Sequence, residues 1–382
     1  MNARRLDGSR LRVAIDARPL SHPQPGGYKS YVRSLLRGLR ERANTGQNDI
    51  ELLLYIDRPL ADQIQAALPP QTQTRVVGAN RIRADWLTLG RCLAQDVPDL
   101  FFGVANYLPA PRNRMRSAFV LHDALGMRIY PWNRAIKQTA RHQWLARYWN
   151  LMTRLSLKRA RRIVTVSHGS ARELAETLGE PETRFDVVYN GVTLPPSRLG
   201  LMRQKDSVLV FHAPDARKNA DCAYQAFATE RIGKTGPKLR IVCTGARAEA
   251  GAQQAVEQWK LSNAELLRGL DDQGVADAYA EAGALVWPSR WEGFGLPPLE
   301  AMQAGCPVVS SSAPVMPEIL GDAPVYFDPD RPDELAQRWA ALFANPDEQQ
   351  ERAKRGREIA APFTCLRMAN ETVDVWHKAV TA

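Results

Sequence analysis

Five cysteines and six histidines in 382 residues leave little for thiol or metal chemistry. The cysteines (Cys92, Cys222, Cys243, Cys306, Cys365) are scattered, odd in number and form no CxxC pair. That argues against a disulfide framework or a zinc site and suits a reducing, cytoplasmic setting. No run approaches the roughly 18 apolar residues of a membrane-spanning helix. The opening MNARRLDGSR is polar and lacks the apolar centre of a signal peptide. The segment AIDARPLSHPQPGG does not supply the GxGxxG of a dinucleotide-dependent dehydrogenase. An Asp-x-Asp, the metal-holding signature of one class of nucleotide-sugar enzymes, occurs at Asp328–Asp330. It sits among prolines and leads into a helical pattern, so it reads as a structural turn. No nucleic-acid recognition motif and no other acid or histidine cluster for a metal is present.

What is present is ordinary in composition and unusual in distribution. Apolar residues make up 45% and charged residues 24%, as in a soluble globular protein. The net charge is +10, but residues 1–190 carry +14 and the remainder −4. A basic first half predicts attraction to something anionic, whether a membrane surface or a phosphate-bearing ligand.

Short apolar runs alternate with helical patterns along the whole chain. In the first half they are Leu11–Ala17, Glu51–Asp57, Asp99–Gly103, Ala118–Asp123, Arg162–Ser167 and Asp186–Asn190. The cycle restarts with Ser207–Ala213, Leu239–Gly245, Ala264–Leu270, Ala284–Ser289 and Pro307–Ser311. Near-continuous apolar strands separated by helices predict parallel sheets covered on both faces. The fold class is therefore α/β, with two doubly wound, Rossmann-like domains facing across a cleft. The expected division is residues 1–190, residues 191–360, and a last helix over residues 361–382 returning to the first domain. Ligand-binding residues are expected just beyond the strand ends. A long helix is expected from Asn133 to Ala160. Its stripe Trp144, Tyr148, Leu151, Met152 and Leu155 is expected to pack into the core, ahead of lying on an anionic membrane beside Arg134, Lys137, Arg141, Arg147, Arg154, Lys158 and Arg159.

The segment WEGFGLPPLEAMQAGCP, Trp291–Pro307, carries the chemistry. Pro297 and Pro298 are preset for a first helical turn, and Gly305 suits its end. Gly293 and Gly295 bare the backbone from Gly293 through Phe294 to Leu296, so a diphosphate can approach its amides and the helix N-terminus. Glu300 is expected in the first turn, able to accept from a diol such as a ribose. Glu292 is expected at the other end of the ligand, on sugar hydroxyls. Arg217 and Lys218, beyond the run Ser207–Ala213, would stabilise a departing diphosphate. Gly26 and Gly27 open the first long helix close to the same phosphates.

This whole pattern resembles retaining glycosyltransferases of the GT4 family, which have the GT-B fold. Glu292, Gly293, Phe294, Gly295 and Glu300 match the family's two-glutamate signature, and similarity runs from VAIDARPL…GGYKSYV through VLVFHAPDARKNADCAYQAF to the C-terminal block. The resemblance implies metal-independent transfer of a hexose from a nucleotide diphosphate sugar, with retention, and no cofactor. GDP-mannose is the first donor expected and a UDP-sugar the second, from likeness to mannosyltransferases of polysaccharide assembly. His122, which ends a strand in this family facing the transferred sugar, is a further catalytic candidate, and Asp123 would contact the acceptor. A glycan or polyprenyl-diphosphate-linked glycan is the expected acceptor, with peripheral contact at the inner face of a membrane. His142 and His168 are read as structural. Two departures stand out: His212 replaces the family's usual glycine, and Lys29 stands where a small residue is common. A nucleotide-sugar epimerase on the same fold, and a non-catalytic nucleotide- or polyanion-binding protein, remain alternatives.

Overall fold

The computed structural model describes residues 10–22, 26–109, 114–128, 130, 140–228 and 237–381, the side chains of residues 140–143 excepted. They group into two compact units. The first holds the described residues up to Arg128, from Ala140 to Thr193 and from Phe363 onward; the second holds Tyr130 and Leu194–Pro362.

The first unit is built on a seven-stranded parallel sheet: β1 (Leu11–Asp16), β2 (Ile50–Ile56), β3 (Gln73–Val76), β4 (Leu100–Gly103), β5 (Ser117–Val120), β6 (Arg162–Thr165) and β7 (Phe185–Val187). Their order is β3-β2-β1-β4-β5-β6-β7, so the winding reverses between β1 and β4. The β1–β2 register runs in parallel from Leu11 opposite Ile50 to Asp16 opposite Tyr55. Val13 to Asp16 and Leu52 to Ile56 are buried without alternation, as strands covered on both faces must be. Ala14, Tyr55, Leu93, Phe101, Phe119 and Leu174 join in one core on this sheet.

The second unit has a six-stranded parallel sheet: β8 (Gln204–His212), β9 (Lys238–Cys243), β10 (Ala264–Arg268), β11 (Ala282–Trp287), β12 (Val308–Ser311) and β13 (Val325–Phe327). The order β10-β9-β8-β11-β12-β13 reverses between β8 and β11. Its core gathers Val208, Val210, Ile241, Val286 and Phe327 around Trp339, which meets Phe227 edge to face at 3.9 Å. Every apolar run singled out in the sequence forms a strand here. Two further strands lie outside those runs, both at sheet edges: QTRV in β3 is largely exposed and polar, and β13 has three residues.

The helix Cys365–Thr381 belongs to the first unit and packs along the helix Gly27–Asn44. A glycine makes the approach possible: a Cβ on Gly38 would lie 1.9 Å from the carbonyl oxygen of Cys365. Gly191 meets the same place, its would-be Cβ 2.6 Å from the Cys365 Cα. All five cysteines are buried thiols.

The long helix spans Ala140–Arg159; Arg134 and Lys137, and the side chains of Arg141 and His142, lie outside the described residues. Its apolar stripe corrects the sequence expectation. The buried face is Met152, Thr153 and Ser156, fixed by Thr153 Oγ1 donating to the Asn106 carbonyl at 3.0 Å and Ser156 Oγ accepting from the Leu108 amide at 2.7 Å. Trp144, Leu151 and Leu155 point outward, as do Arg147, Arg154 and Lys158. The hydroxyls draw that face inward because the backbone at Asn106 and Leu108 needs partners there. Among the described residues no helix is long and apolar enough to cross a membrane.

Candidate active site

In the second unit the strand reversal brings the loops after β8 and β11 together, the place where open α/β sheets bind ligands. The β8 loop ends in a single 3-10 turn, Ala216–Lys218, started by Asp215, whose carboxylate accepts from the Arg217 amide at 3.0 Å. Asn219 follows in the left-handed region, with φ of 54°, and its amide donates to the carbonyls of Pro288 at 3.0 Å and Pro329 at 2.8 Å. The Arg290 amide donates back to the Arg217 carbonyl at 2.9 Å. The turn is thus tied to the β11 loop by backbone bonds.

That tie places three charged side chains in contact. Glu292 is 6% exposed, with Lys218 Nζ 2.7 Å from Oε1 and Arg217 Nη1 3.7 Å from Oε2. Burial alone would push the Glu292 carboxyl up; Lys218, and then Arg217, outweigh it and hold the carboxyl below its usual range. Glu292 is therefore ionised. Each cation also lies over an indole, Lys218 at 4.7 Å from the Trp287 ring centre and Arg217 at 5.6 Å from that of Trp291. Lys218 has three N–H donors, so its bond to Glu292 leaves capacity for a second anion.

Beyond Glu292, Gly295 takes φ of 91° and caps the helix Leu296–Gln303. The φ is what requires glycine; an added Cβ would also lie 2.5 Å from Met316 Cε, the movable end of that side chain. Pro297 and Pro298 fill the first turn and carry no N–H. Gly293, Phe294 and Gly295 lie between Glu292 and this helix. Glu300 corrects its expected place: it lies in the second turn, and no acid is in the first. Its partner is the Tyr279 hydroxyl, 3.2 Å from Oε2. Burial raises the Glu300 carboxyl to about 7, opposed by the hydrogen bond from Tyr279 and helped by the charge of Asp272. The two acids thus differ in state. Glu292 is fixed as an anion, and Glu300 titrates near neutrality.

His212, the departure after β8, is accommodated by a glycine far along the chain. Its Nδ1 lies 2.8 Å from the Tyr224 hydroxyl, and a Cβ on Gly251 would come within 2.6 Å of its Nε2. The Asp328–Asp330 segment is a turn: the Asp328 carboxylate accepts from the Asp330 amide at 2.9 Å, and Asp330 pairs with Arg290 at 2.8 Å. Among the described residues no group of three or more histidines, cysteines or acids converges.

In the first unit the residues beyond β1, β4 and β5 line a cavity of about 750 Å³. Gly26, Lys29 and Asp123 are on its wall. A Cβ on Gly26 or Gly27 would meet nothing within 4 Å, so protein packing does not account for these glycines. Lys29 donates from Nζ to the His22 carbonyl at 2.9 Å. The Asp123 carboxylate accepts from the Leu125 amide at 2.9 Å. His122 is buried between the rings of Tyr28 and Tyr31, with Nε2 2.9 Å from the Val104 carbonyl. Burial lowers its pKa to about 4, so it is neutral at physiological pH. His168 packs its ring edge-on to Tyr189.

Sequence reasoning missed Asn106. Its Oδ1 accepts from the His122 amide at 2.8 Å and its Nδ2 donates to the Tyr28 hydroxyl at 2.9 Å, from a backbone φ of 64°. An asparagine just past a strand end was the available signal.

Two family models match the chain: "Glycosyltransferase Family 4" over residues 25–194 and "Glycosyl transferases group 1" over residues 198–359. The O-antigen chain mannosyltransferase RfbU of Salmonella typhimurium is 27% identical over 56% of this chain and 59% of its own length. The MMP alpha-(1->4)-mannosyltransferase of Mycolicibacterium hassiacum is 28% identical over 65% and 63%. The matches thus span about three fifths of these relatives' lengths. Among solved structures, the sucrose-phosphate synthase of Thermosynechococcus elongatus superposes with a TM-score of 0.75 at 16% identity, over 97% of this chain and 99% of that one. WaaG, a glycosyltransferase of lipopolysaccharide biosynthesis, does so at 0.71 and 15%, over 95% and 99%. HepE of Anabaena, solved with UDP-glucose, does so at 0.69 and 16%, over 96% and 99%. These likenesses establish the GT-B fold of two α/β domains.

Proposed function

The chain belongs to glycosyltransferase family 4, and from that premise we propose that it transfers a hexose from a nucleotide diphosphate sugar to a glycan acceptor, with retention and without metal. The observation that carries the reading is the buried Glu292–Lys218–Arg217 cluster at the strand reversal of the second unit. A carboxylate and two cations are paired there, next to the glycine turn that starts the helix Leu296–Gln303.

The roles follow from charge and hydrogen-bonding capacity. Arg217 and Lys218 stabilise the negative charge that builds on the diphosphate as the bond from C1 to its oxygen breaks. Glu292 accepts from sugar hydroxyls and keeps Lys218 in position. Glu300 accepts from the ribose diol, which favours its ionised form. The acceptor hydroxyl attacks C1 from the leaving-group face, its oxygen forming the new bond and its proton passing to the departing phosphate. Neutral His122 binds the transferred sugar as a hydrogen-bonding group and not as a proton carrier. Names of two relatives favour mannose, hence GDP-mannose first and a UDP-sugar second. The first unit takes the acceptor, with Asp123 among its contacts. The outward Trp144, Leu151 and Leu155 beside Arg147, Arg154 and Lys158 suit an anionic membrane surface, to be checked by cosedimentation with anionic vesicles.

The test is a thermal-shift panel with UDP, GDP, ADP and NAD, each with and without EDTA. A ligand at 100 times its Kd adds about 2.7 kcal/mol of stability. One nucleoside diphosphate should raise Tm equally with and without EDTA. A shift with NAD alone, or none at all, overturns the donor site; a shift abolished by EDTA overturns metal independence. Retention is checked by the anomeric configuration of the product by NMR.

A further inference from the structure

The cavity of the first unit carries more information than its place in the fold. Its wall includes three cations, Arg18, Lys29 and Arg81, and two acids, Asp57 and Asp123. Arg18 is already compensated: its guanidinium bonds Asp16 twice at 2.7 Å and Asp85 at 2.7 Å, all buried. Asp85 in turn accepts from the hydroxyls of Tyr107 and Tyr148, at 3.0 and 2.8 Å. The remaining two cations are matched in number by the two acids of the wall. The strong positive charge of residues 1–190 therefore does not gather in this cavity.

The rest of the wall has the chemistry of carbohydrate recognition. Trp149 and Tyr28 are each 40% exposed, and the Arg81 guanidinium lies over the Trp149 indole at 5.9 Å. Flat aromatic faces cover the C–H faces of a ring without asking for charge. Asn106, Asn150, Asp123 and the Tyr28 hydroxyl supply donors and acceptors for hydroxyl groups. Because Tyr28 accepts the Asn106 amide hydrogen, its own proton can be donated. The volume lies within the ~300–1,000 Å³ typical of small-ligand pockets.

From these features we infer that the cavity seats the terminal sugar of the acceptor and is built for an uncharged one. Trp149 is the stacking platform, and Asn106 positions Tyr28. The inference rests on the glycosyltransferase reading and narrows it: an anionic portion of the acceptor, if there is one, lies outside this cavity.

The test uses the full chain and defined probes. The neutral probes are methyl α-mannopyranoside, methyl α-glucopyranoside and methyl α-mannobioside. The anionic probes are mannose 6-phosphate and inorganic phosphate. Binding is read by saturation-transfer NMR and by affinity titration, with circular dichroism confirming the fold of each variant. At least one neutral glycoside should bind. Trp149→Ala should weaken it at least about fivefold, as loss of a stacked aromatic does. Asn106→Gly, which tolerates the left-handed backbone, should weaken it too, and the surface variant Arg338→Ala in the second unit should not. Binding of the anionic probes alone, no neutral binding, or glycoside affinity unchanged in both cavity variants overturns the inference. The nucleotide panel stands apart. A nucleotide shift without glycoside binding sinks this inference and spares the donor site; glycoside binding without a nucleotide shift does the reverse.

Discussion

The two units place their functional groups by opposite means. In the second, the groups are charged, mutually paired and drawn from two short stretches, Asp215–Asn219 and Ser289–Glu300. In the first, they are aromatic and amide groups around a cavity, brought from many separate parts of the chain. The paired site holds an ionised carboxylate below its usual range, whereas the first unit keeps a histidine neutral by burying it behind Tyr28 of the cavity wall. The contrast suits their proposed ligands. A leaving diphosphate needs charge fixed in advance; a glycan needs shape and neutral donors.

The contrast can be broken most sharply at Lys218. Lys218→Ala should lower kcat by ~10²–10³, the usual cost of one preorganised electrostatic donor. Adding Glu292→Gln should recover thermal stability, because the buried carboxylate, left with only Arg217 at 3.7 Å, is removed, without recovering the rate. A near-normal kcat for the single variant removes Lys218 from the chemistry.

Glu300 comes next. Glu300→Ala should weaken the nucleoside diphosphate by roughly 10- to 100-fold, as a lost bond to a charged group implies. The wild type should show the linked pH effect. Burial raises this carboxyl to about 7 from an ordinary 4.5. Its contribution to folding is therefore complete below about 4.5 and is lost as pH rises through about 7. A diol that binds the ionised form offsets that loss. Nucleotide affinity should rise between pH 6 and pH 8 and then level, and a flat profile across that range would rule out the ribose role.

Matched glycine substitutions compare the packing of the two units. Gly38→Ala in the first sets a methyl against the Cys365 backbone, and should cost about 1–3 kcal/mol in denaturant unfolding. Gly251→Ala in the second meets only the His212 side chain, which can turn, so its effect should be smaller. Equal losses would mean that His212 is held as rigidly as backbone. The smallest effect is expected at His122. With its pKa near 4, it should add no inflection to the kcat profile between pH 6 and 8 in variants lacking the Glu300 carboxyl. An inflection removed by His122→Asn would overturn its neutral role.

The same contrast explains what could be read from the chain alone. Strands buried on both faces have to be continuously apolar, so the central ones were visible; the edge strands β7 and β10 were apolar enough to be read as well, whereas β3 is polar and exposed and β13 has three residues. The Glu292–Glu300 segment was legible because its glycines, prolines and acids are contiguous. Its direct pairing to Lys218 was not, since that depends on Asn219 tying two loops together. In the first unit, Gly26, His122 and Asp123 could be marked by their strand ends. Asn106 offered the same signal, just past β4, and was overlooked; Arg81 and Trp149 offered none, because their meaning comes only from neighbours distant in sequence. The stripe of the Ala140–Arg159 helix misled for a related reason: hydrophobic spacing identifies a face but not which face has backbone groups waiting for a hydroxyl.

The helix Cys365–Thr381 sets an order on the making of the protein. As the ribosome releases the chain, β1 to β7 emerge first, yet the groove beside Gly38 stays empty until Cys365 and Trp376 have been synthesised. The second unit, whose described residues are Tyr130 and Leu194–Pro362, is synthesised before the helix Cys365–Thr381 that the first one needs. A chain stopped after Pro362 should therefore yield a protease-resistant second unit joined to a first unit that is still digestible. On the proposed reading, the donor site would then form before the acceptor cavity is fully supported.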